Sequence, residues 1–258
     1  MPSVADRTVY PSSTSEWVKP AARPVEIDDL IAGVDRYNPA NVSFLEDYLY
    51  DQVKSGSYDC LANLATLKLY QFNPNLLNTD VLVHILLKTL IATPGPDFGL
   101  SVALIGDRAF SVPASEEEDE MEGHLPALLE FLTKAHSLLR TCQFSQFWKL
   151  LNGDEEAATI LRQNQLAEHP LFAKLIRTDV VSKAVASTNQ RISSSLLGKW
   201  LDLSGDELNK FITSELKWTI EGDVVTIGQN EDNDVKGKTV RENVELNQLT
   251  KVIAAGQR

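Results

Sequence analysis

Four histidines, His84, His124, His136 and His169, and two cysteines, Cys60 and Cys142, are the side chains best suited to hold a transition metal or to begin nucleophilic chemistry. Their spacing supports neither. No two histidines stand four apart and no cysteine pair accompanies them, so a zinc centre would have to be assembled from remote segments. His124 sits beside an acidic run, where a solvated loop would preorganise little around a cation. The glycines form neither a dinucleotide fingerprint nor a P-loop, and Gly99-Leu100-Ser101-Val102-Ala103 lacks the closing glycine of a nucleophile elbow. Asp and Glu number 36, enough that some pair always resembles an acid and a base, and spacing along the chain cannot show convergence in a pocket. No catalytic residue, cofactor or metal ligand is expected.

The bulk properties point to a protein that binds proteins. The 258 residues are 43% hydrophobic and 23% charged, enough to bury one large core or two modest ones. A net charge of -12 and an isoelectric point near 4.8 repel a phosphate backbone, so direct DNA binding is not expected. Cys60 and Cys142 each fall in an apolar helical pattern far apart, which predicts buried free thiols in a reducing compartment. The longest apolar run, Val81 to Ile91, is interrupted by His84, Lys88 and Thr89 and falls short of the roughly 20 residues of a membrane span. With no basic flank leading an apolar block at the N-terminus, a cytoplasmic location is expected.

The elements that would position these residues are mostly helices. Residues 1–24, rich in proline and serine, read as a disordered tail. Ile27, Leu30, Ile31 and Val34 predict a short helix ending before Asn38-Pro39. A second is predicted from Ser43, with Ser43 and Glu46 as a capping box and Leu45, Tyr48, Leu49 and Val53 as its buried stripe. Asp59 caps a third, with stripe Leu61, Leu64, Ala65 and Lys68, and Asn73-Pro74 stops it. A fourth follows from Thr79 to Ile91, then a fifth from Asp97 through Leu100, Leu104 and Ile105. Short helices joined by short turns bury one stripe each by stacking in pairs, the architecture of a HEAT- or TPR-like helical-repeat domain, here over 25–168.

That domain is interrupted by an acidic stretch, Ser115 to Glu122, carrying six carboxylates, which predicts a solvated loop over 113–124; the rival reading is an acidic docking or phosphorylation segment around Ser115. Helices resume with Pro126 in a first turn and the stripe Leu128, Leu129, Leu132, Ala135 and Leu139. An aromatic helix follows with Phe144, Phe147, Trp148 and Leu151, then helices near 155–166 and 171–186.

The grammar changes over 169–230. Leu196, Leu197 and Trp200 mark one short helix; Ser204 and Glu207 cap a second with stripe Leu208, Phe211, Ile212 and Leu216. Trp218-Thr219-Ile220 and Val224-Val225-Thr226-Ile227 then flank a Gly-containing turn, a β-hairpin. Helices followed by a hairpin are the order of a winged helix. Its second helix mixes Asp206, Glu207 and Glu215 with Lys210 and Lys217, which suits a protein partner better than a nucleic acid. A charged loop and an amphipathic helix with Val244, Leu246, Leu249, Val252 and Ile253 occupy 231–258. The expected class is therefore mainly α: a helical-repeat domain, a winged helix with a small hairpin, and a C-terminal helix.

Three stretches, Gly33-Val34-Asp35-Arg36-Tyr37-Asn38-Pro39, Ala62-Asn63-Leu64-Ala65 and Leu67-Lys68-Leu69-Tyr70-Gln71-Phe72-Asn73-Pro74, together with Thr141-Cys142-Gln143-Phe144 and Phe147-Trp148, resemble the subunit k family of eukaryotic translation initiation factor 3. These are small PCI-type subunits related to those of the proteasome lid and the COP9 signalosome. The resemblance implies a non-catalytic adaptor that docks through its winged helix and C-terminal helix, with subunit l as nearest neighbour and the 40S ribosomal subunit reached through the complex. Docking residues would be Leu196, Trp200, Phe211, Trp218, Leu246, Leu249, Val252 and Ile253. The competing reading is a winged helix touching ribosomal RNA through Lys210, Lys217, Lys236, Lys238 and Arg241.

Overall fold

Glycine, proline and asparagine set the helix ends, and the apolar stripes between them set the stacking. The computed structural model describes residues 20–106 and 120–234, with side chains from Gly123 onward in the second stretch. Helix α1 (Val25–Ala32) buries Ile27, Leu30 and Ile31. Val34, expected on that face, is 83% exposed, because Gly33 leaves helical angles and a 3-10 turn (Val34–Tyr37) replaces the last helical turn.

Helix α2 (Val42–Ser55) buries Leu45, Tyr48, Leu49 and Val53 as the spacing predicts. The predicted capping box does not form: the helix begins at Val42, and Glu46 instead accepts a hydrogen bond from the Tyr70 hydroxyl. Gly56 ends the helix at φ 71, a left-handed position that other residues occupy at a cost.

Helix α3 (Cys60–Phe72) is capped by Asp59, whose carboxylate accepts from the Ala62 amide, and it stops before Asn73-Pro74. Its buried face is Ala62, Asn63, Thr66, Leu67, Leu69 and Tyr70, not the expected Leu61, Leu64, Ala65 and Lys68. Counting aliphatic positions alone misplaced the stripe, because the inward face carries polar residues that find partners there. Asn63 pairs with Gln52 of α2, whose Nε2 donates to Asn63 Oδ1 at 2.9 Å.

Helix α4 (Thr79–Ile91) is the axle of the molecule. Every residue from Val81 to Ile91 is buried, since α2, α5 (Asp97–Ile105) and α6 (Glu120–Arg140) all pack on it. Helix α6 starts earlier than expected and holds Pro126 inside, so residues 120–124 of the predicted acidic loop are helical; 113–119 lie outside the described residues. The proline costs α6 one backbone bond, and the buried stripe Leu128, Leu129, Leu132, Ala135 and Leu139 offsets it. Cys142 is exposed, not buried as expected: it takes φ 57 in the tight turn after α6 and faces solvent. Helices α7 (Phe144–Leu151), α8 (Glu156–Gln163) and α9 (Gln165–Glu168) follow.

A continuous run then passes from α10 (Phe172–Leu175) through a π-helical segment (Ile176–Val181) into α11 (Ser182–Thr188). The π segment packs on α4 and also on α12 (Ser194–Leu201), so it belongs to both halves. Strand β1 (Arg191–Ser193), absent from the sequence reading, precedes α12. With β2 (Thr219–Glu221) and β3 (Val224–Thr226) it makes an antiparallel sheet of order β1-β3-β2, registering Ile192 and Ile220 on Val225. Between α12 and the sheet, α13 (Gly205–Lys210) runs into a second π segment (Phe211–Leu216). Ser204 occupies the position before α13, but its side chain makes no capping bond, so the expected box with Glu207 is absent. This is a winged helix, with three short strands where a hairpin alone was predicted.

The joint between the halves follows from helix physics. The last carbonyls of a helix have no partner inside it, and at the end of α12 residues of α7 and of the π segment Ile176–Val181 supply donors to them. Ser145 Oγ donates to the Lys199 carbonyl (3.2 Å), Trp148 Nε1 to that of Trp200 (2.9 Å), and Arg177 Nε to that of Leu201 (2.7 Å). Arg177 also lies 4.8 Å from the Trp148 ring centroid, its positive charge at the negative end of the helix dipole. One hydrophobic core runs from Ile27 to Ile227.

Candidate functional site

The predicted docking residues divide sharply. Leu196, on the outer face of α12, is 40% exposed and available to a partner. Trp200 is half-buried with its carbonyl taken by Trp148 and its ring 6.1 Å from Phe144, edge-on, so it serves the joint between the halves. Phe211 and Trp218 are half-buried against the core. Leu246, Leu249, Val252 and Ile253 lie outside the described residues, as do Lys236, Lys238 and Arg241.

Lys210 and Lys217 are exposed but separate from any basic patch: Asp206 and Glu207 are exposed on the same helix, and Glu215 pairs with Lys174 at 2.8 Å. The depression beside α12 and α13 is lined by Lys199 together with Asp202, Glu207 and Asp223. That surface repels phosphate more than it attracts it. A second, mainly apolar groove of about 400 Å³ lies where α6 and α7 meet α11 and α12, lined among others by Leu139, Phe144, Val180, Ala184, Trp200 and Asp232.

An exposed aromatic pair was not singled out as a contact surface by the sequence. Tyr37 and Phe72 lie 6.2 Å apart, with Arg36 over the first ring at 4.8 Å and Lys68 over the second at 4.6 Å. By contrast Tyr70, Phe147 and Trp148, from the same motifs, are buried.

The structure also assembles a polar cluster that spacing did not suggest. His84, on α4, is 0% exposed, with Nε2 3.5 Å from Asp80 Oδ2 and 3.4 Å from Glu168 Oε2 of α9. Neither ring nitrogen makes a well-formed hydrogen bond. Asp80 is held from behind: Tyr50 Oη donates to Oδ2 (2.8 Å) and Gln165 Nε2 to Oδ1 (2.7 Å). The Asp80 carboxyl is drawn down to about 2, chiefly by His84. Beside it, burial first, then Lys88 and His84, push His169 down to about 3, and burial lowers Lys88 to about 7, its ammonium donating to the Gln52 carbonyl at 3.1 Å. The one legible signal was Asp80 standing four residues before His84 on a helix; a search for histidine pairs passes over it. Cys60 is no nucleophile: burial, followed by Asp97, raises its thiol to about 12.

Comparison with known proteins gives the family. The model of the CSN8/PSMD8/EIF3K family matches residues 76–239, from just before α4 through the whole winged helix. The chain belongs to the CSN8/PSMD8/EIF3K family. Its similarity to individual relatives extends further. It is 45% identical over 248 residues to eukaryotic translation initiation factor 3 subunit K of Cryptococcus neoformans var. neoformans serotype D, covering 96% of this chain and 97% of the relative. It is 35% identical over 276 residues to the protein of the same name in Mycosarcoma maydis (95% and 96% covered), and 35% over 233 residues to that of Botryotinia fuckeliana (90% and 93%). The initiation factor 3 subunit K family is one of non-catalytic structural subunits, and this member is not an enzyme. Among the described residues no helix is long and apolar enough to cross a membrane.

Proposed function

We propose that this chain is a structural subunit of eukaryotic translation initiation factor 3, working in the cytoplasm and reaching the 40S ribosomal subunit as part of the complex. Similarity over nearly the full length to proteins named subunit K, at 45% and 35% identity, supports this reading. A helical half locked to a winged helix through the end of α12 gives a rigid body whose surfaces, not a pocket, do the work. Docking would use Leu196 on α12 and the apolar positions Leu246, Leu249, Val252 and Ile253 of the following segment, with subunit l as the neighbour.

Affinity purification of the full chain from cells tests membership: the other subunits of the factor should copurify in stoichiometric amounts, and their absence defeats the proposal. A full-length L196D/L249D double variant tests the surface. It should keep its thermal stability and lose subunit l by at least tenfold in a pull-down; undiminished capture refutes the assignment of these residues.

A further inference from the structure

We infer that Asp80, His84 and Glu168 form a binding site for a divalent transition-metal ion of the zinc class. The ligand atoms, His84 Nε2, one Asp80 oxygen and one Glu168 oxygen, lie within 4.8 Å of one another. A tetrahedral zinc with nitrogen and oxygen ligands at about 2.0–2.1 Å needs its ligand atoms about 3.3 Å apart. Two of the three separations, 3.5 and 3.4 Å, already stand near that value. The site is therefore spaced for an ion at its centre.

A second and independent observation is the state of the imidazole. His84 is wholly buried, and neither nitrogen makes a well-formed hydrogen bond, a rare condition for a buried polar group. Its Nε2 points between the two carboxylates at distances too long or too oblique for good hydrogen bonds and suited to a shared ion. Asp80 has the outer support that metal ligands show: Tyr50 and Gln165 each donate to one of its oxygens. The Tyr50 ring also stands edge-on to the imidazole at 5.6 Å, fixing its plane. Glu168, 61% exposed, supplies the entry route and leaves the fourth position to water.

The donor set chooses among metals. One imidazole nitrogen with two carboxylate oxygens is too few oxygens for calcium and too nitrogenous for magnesium, whereas zinc, cobalt and nickel accept it. Bound there, the ion ties the first turns of α4 to α9. The rival is an imidazolium bridging two acids, which takes up no metal.

The two separate in one experiment. Full-length protein stripped with chelator is melted with and without zinc, and titrated with cobalt(II) while its visible spectrum is recorded. With free zinc at a hundredfold excess over its dissociation constant, Tm should rise by about 5 °C, and cobalt should give the intense visible bands of a four-coordinate site. Glu168→Gln, with its Tm compared against its own metal-free value, should lose most of the rise and the bands, and D80N should do the same. A Tm unmoved or lowered by zinc, absent bands, or responses that survive E168Q would each overturn the site.

Discussion

The helical half and the winged helix solve the same packing problem with different materials. Between α2, α3 and α4 the interface holds buried polar pairs: Gln52 with Asn63, and Lys88 with the Gln52 carbonyl. Arg23, from the stretch expected to be a disordered tail, instead packs in and bonds Asp59 at 2.6 and 2.8 Å. Over residues 191–227 of the winged helix the core is Leu197, Leu201, Leu208, Ile212, Val225 and Ile227, and no polar side chain of that stretch is buried. In the first half such pairs penalise a shift of one helix along another, because a shifted register strands each polar group unpaired. The winged helix needs no such device. Its sheet register and the capped end of α12 already fix its geometry.

The widest break in this comparison is at the joint. Trp148→Ala removes a buried aromatic, the donor to the Trp200 carbonyl and the platform under Arg177. It should cost about 3–5 kcal/mol in chemical denaturation, and amide exchange should show the winged helix and α7 losing protection together. If the winged helix stays protected while α7 opens, the halves are not coupled through α12.

Lys88 sharpens the polar half of the comparison. Burial holds its folded-state value near 7 against an ordinary 10.5, so between those values the unfolded chain carries a proton that the folded protein lacks. Stability should therefore climb from roughly pH 7 to pH 9 by at most about 1.4 kcal/mol per unit, flattening below pH 7 where both states are charged. Lys88→Met should abolish that slope in denaturation curves taken across the window. A slope that persists in the variant would locate the titration elsewhere.

The smallest effect is expected at the exposed aromatic pair. Phe72 is 58% exposed, so Phe72→Ser should alter stability by less than about 0.5 kcal/mol. A loss several times larger, measured by thermal melting, would mean that Tyr37 and Phe72 hold the turn before α2 as core residues do.

Much of the fold was legible because two kinds of local signal are short-ranged. The stripe Leu45, Tyr48, Leu49 and Val53 announces α2, Asn73-Pro74 cannot continue a helix, and β-branched residues around Gly222 make a hairpin. Failures came where a residue's role depends on what faces it. The inward face of α3 is defined by Gln52 across from Asn63. Ser204 and Ser43 have the residue type of a cap without making the bond, whereas Ser193, which was not expected to cap a helix, accepts from the Leu196 amide. Strand β1 is three residues long and exists because β3 is there to pair with it.

The family motifs show the same division. Tyr37 and Phe72 on one side, Phe147 and Trp148 on the other, are equally apolar; only their neighbours put the first pair in solvent and the second in the core. Asp80 and His84 share a helix face by spacing alone, yet Glu168 joins them only because α9 folds back against α4. The order of residues thus determined which segments become helices, where they stop, and that a helical array precedes a winged helix, since backbone propensity and apolar periodicity act within a few residues. Which face each helix turns inward, which carbonyls are capped across the joint, and which distant acids surround a histidine were decided by the tertiary structure, because those free energies arise only when segments far apart along the chain exclude water from one another.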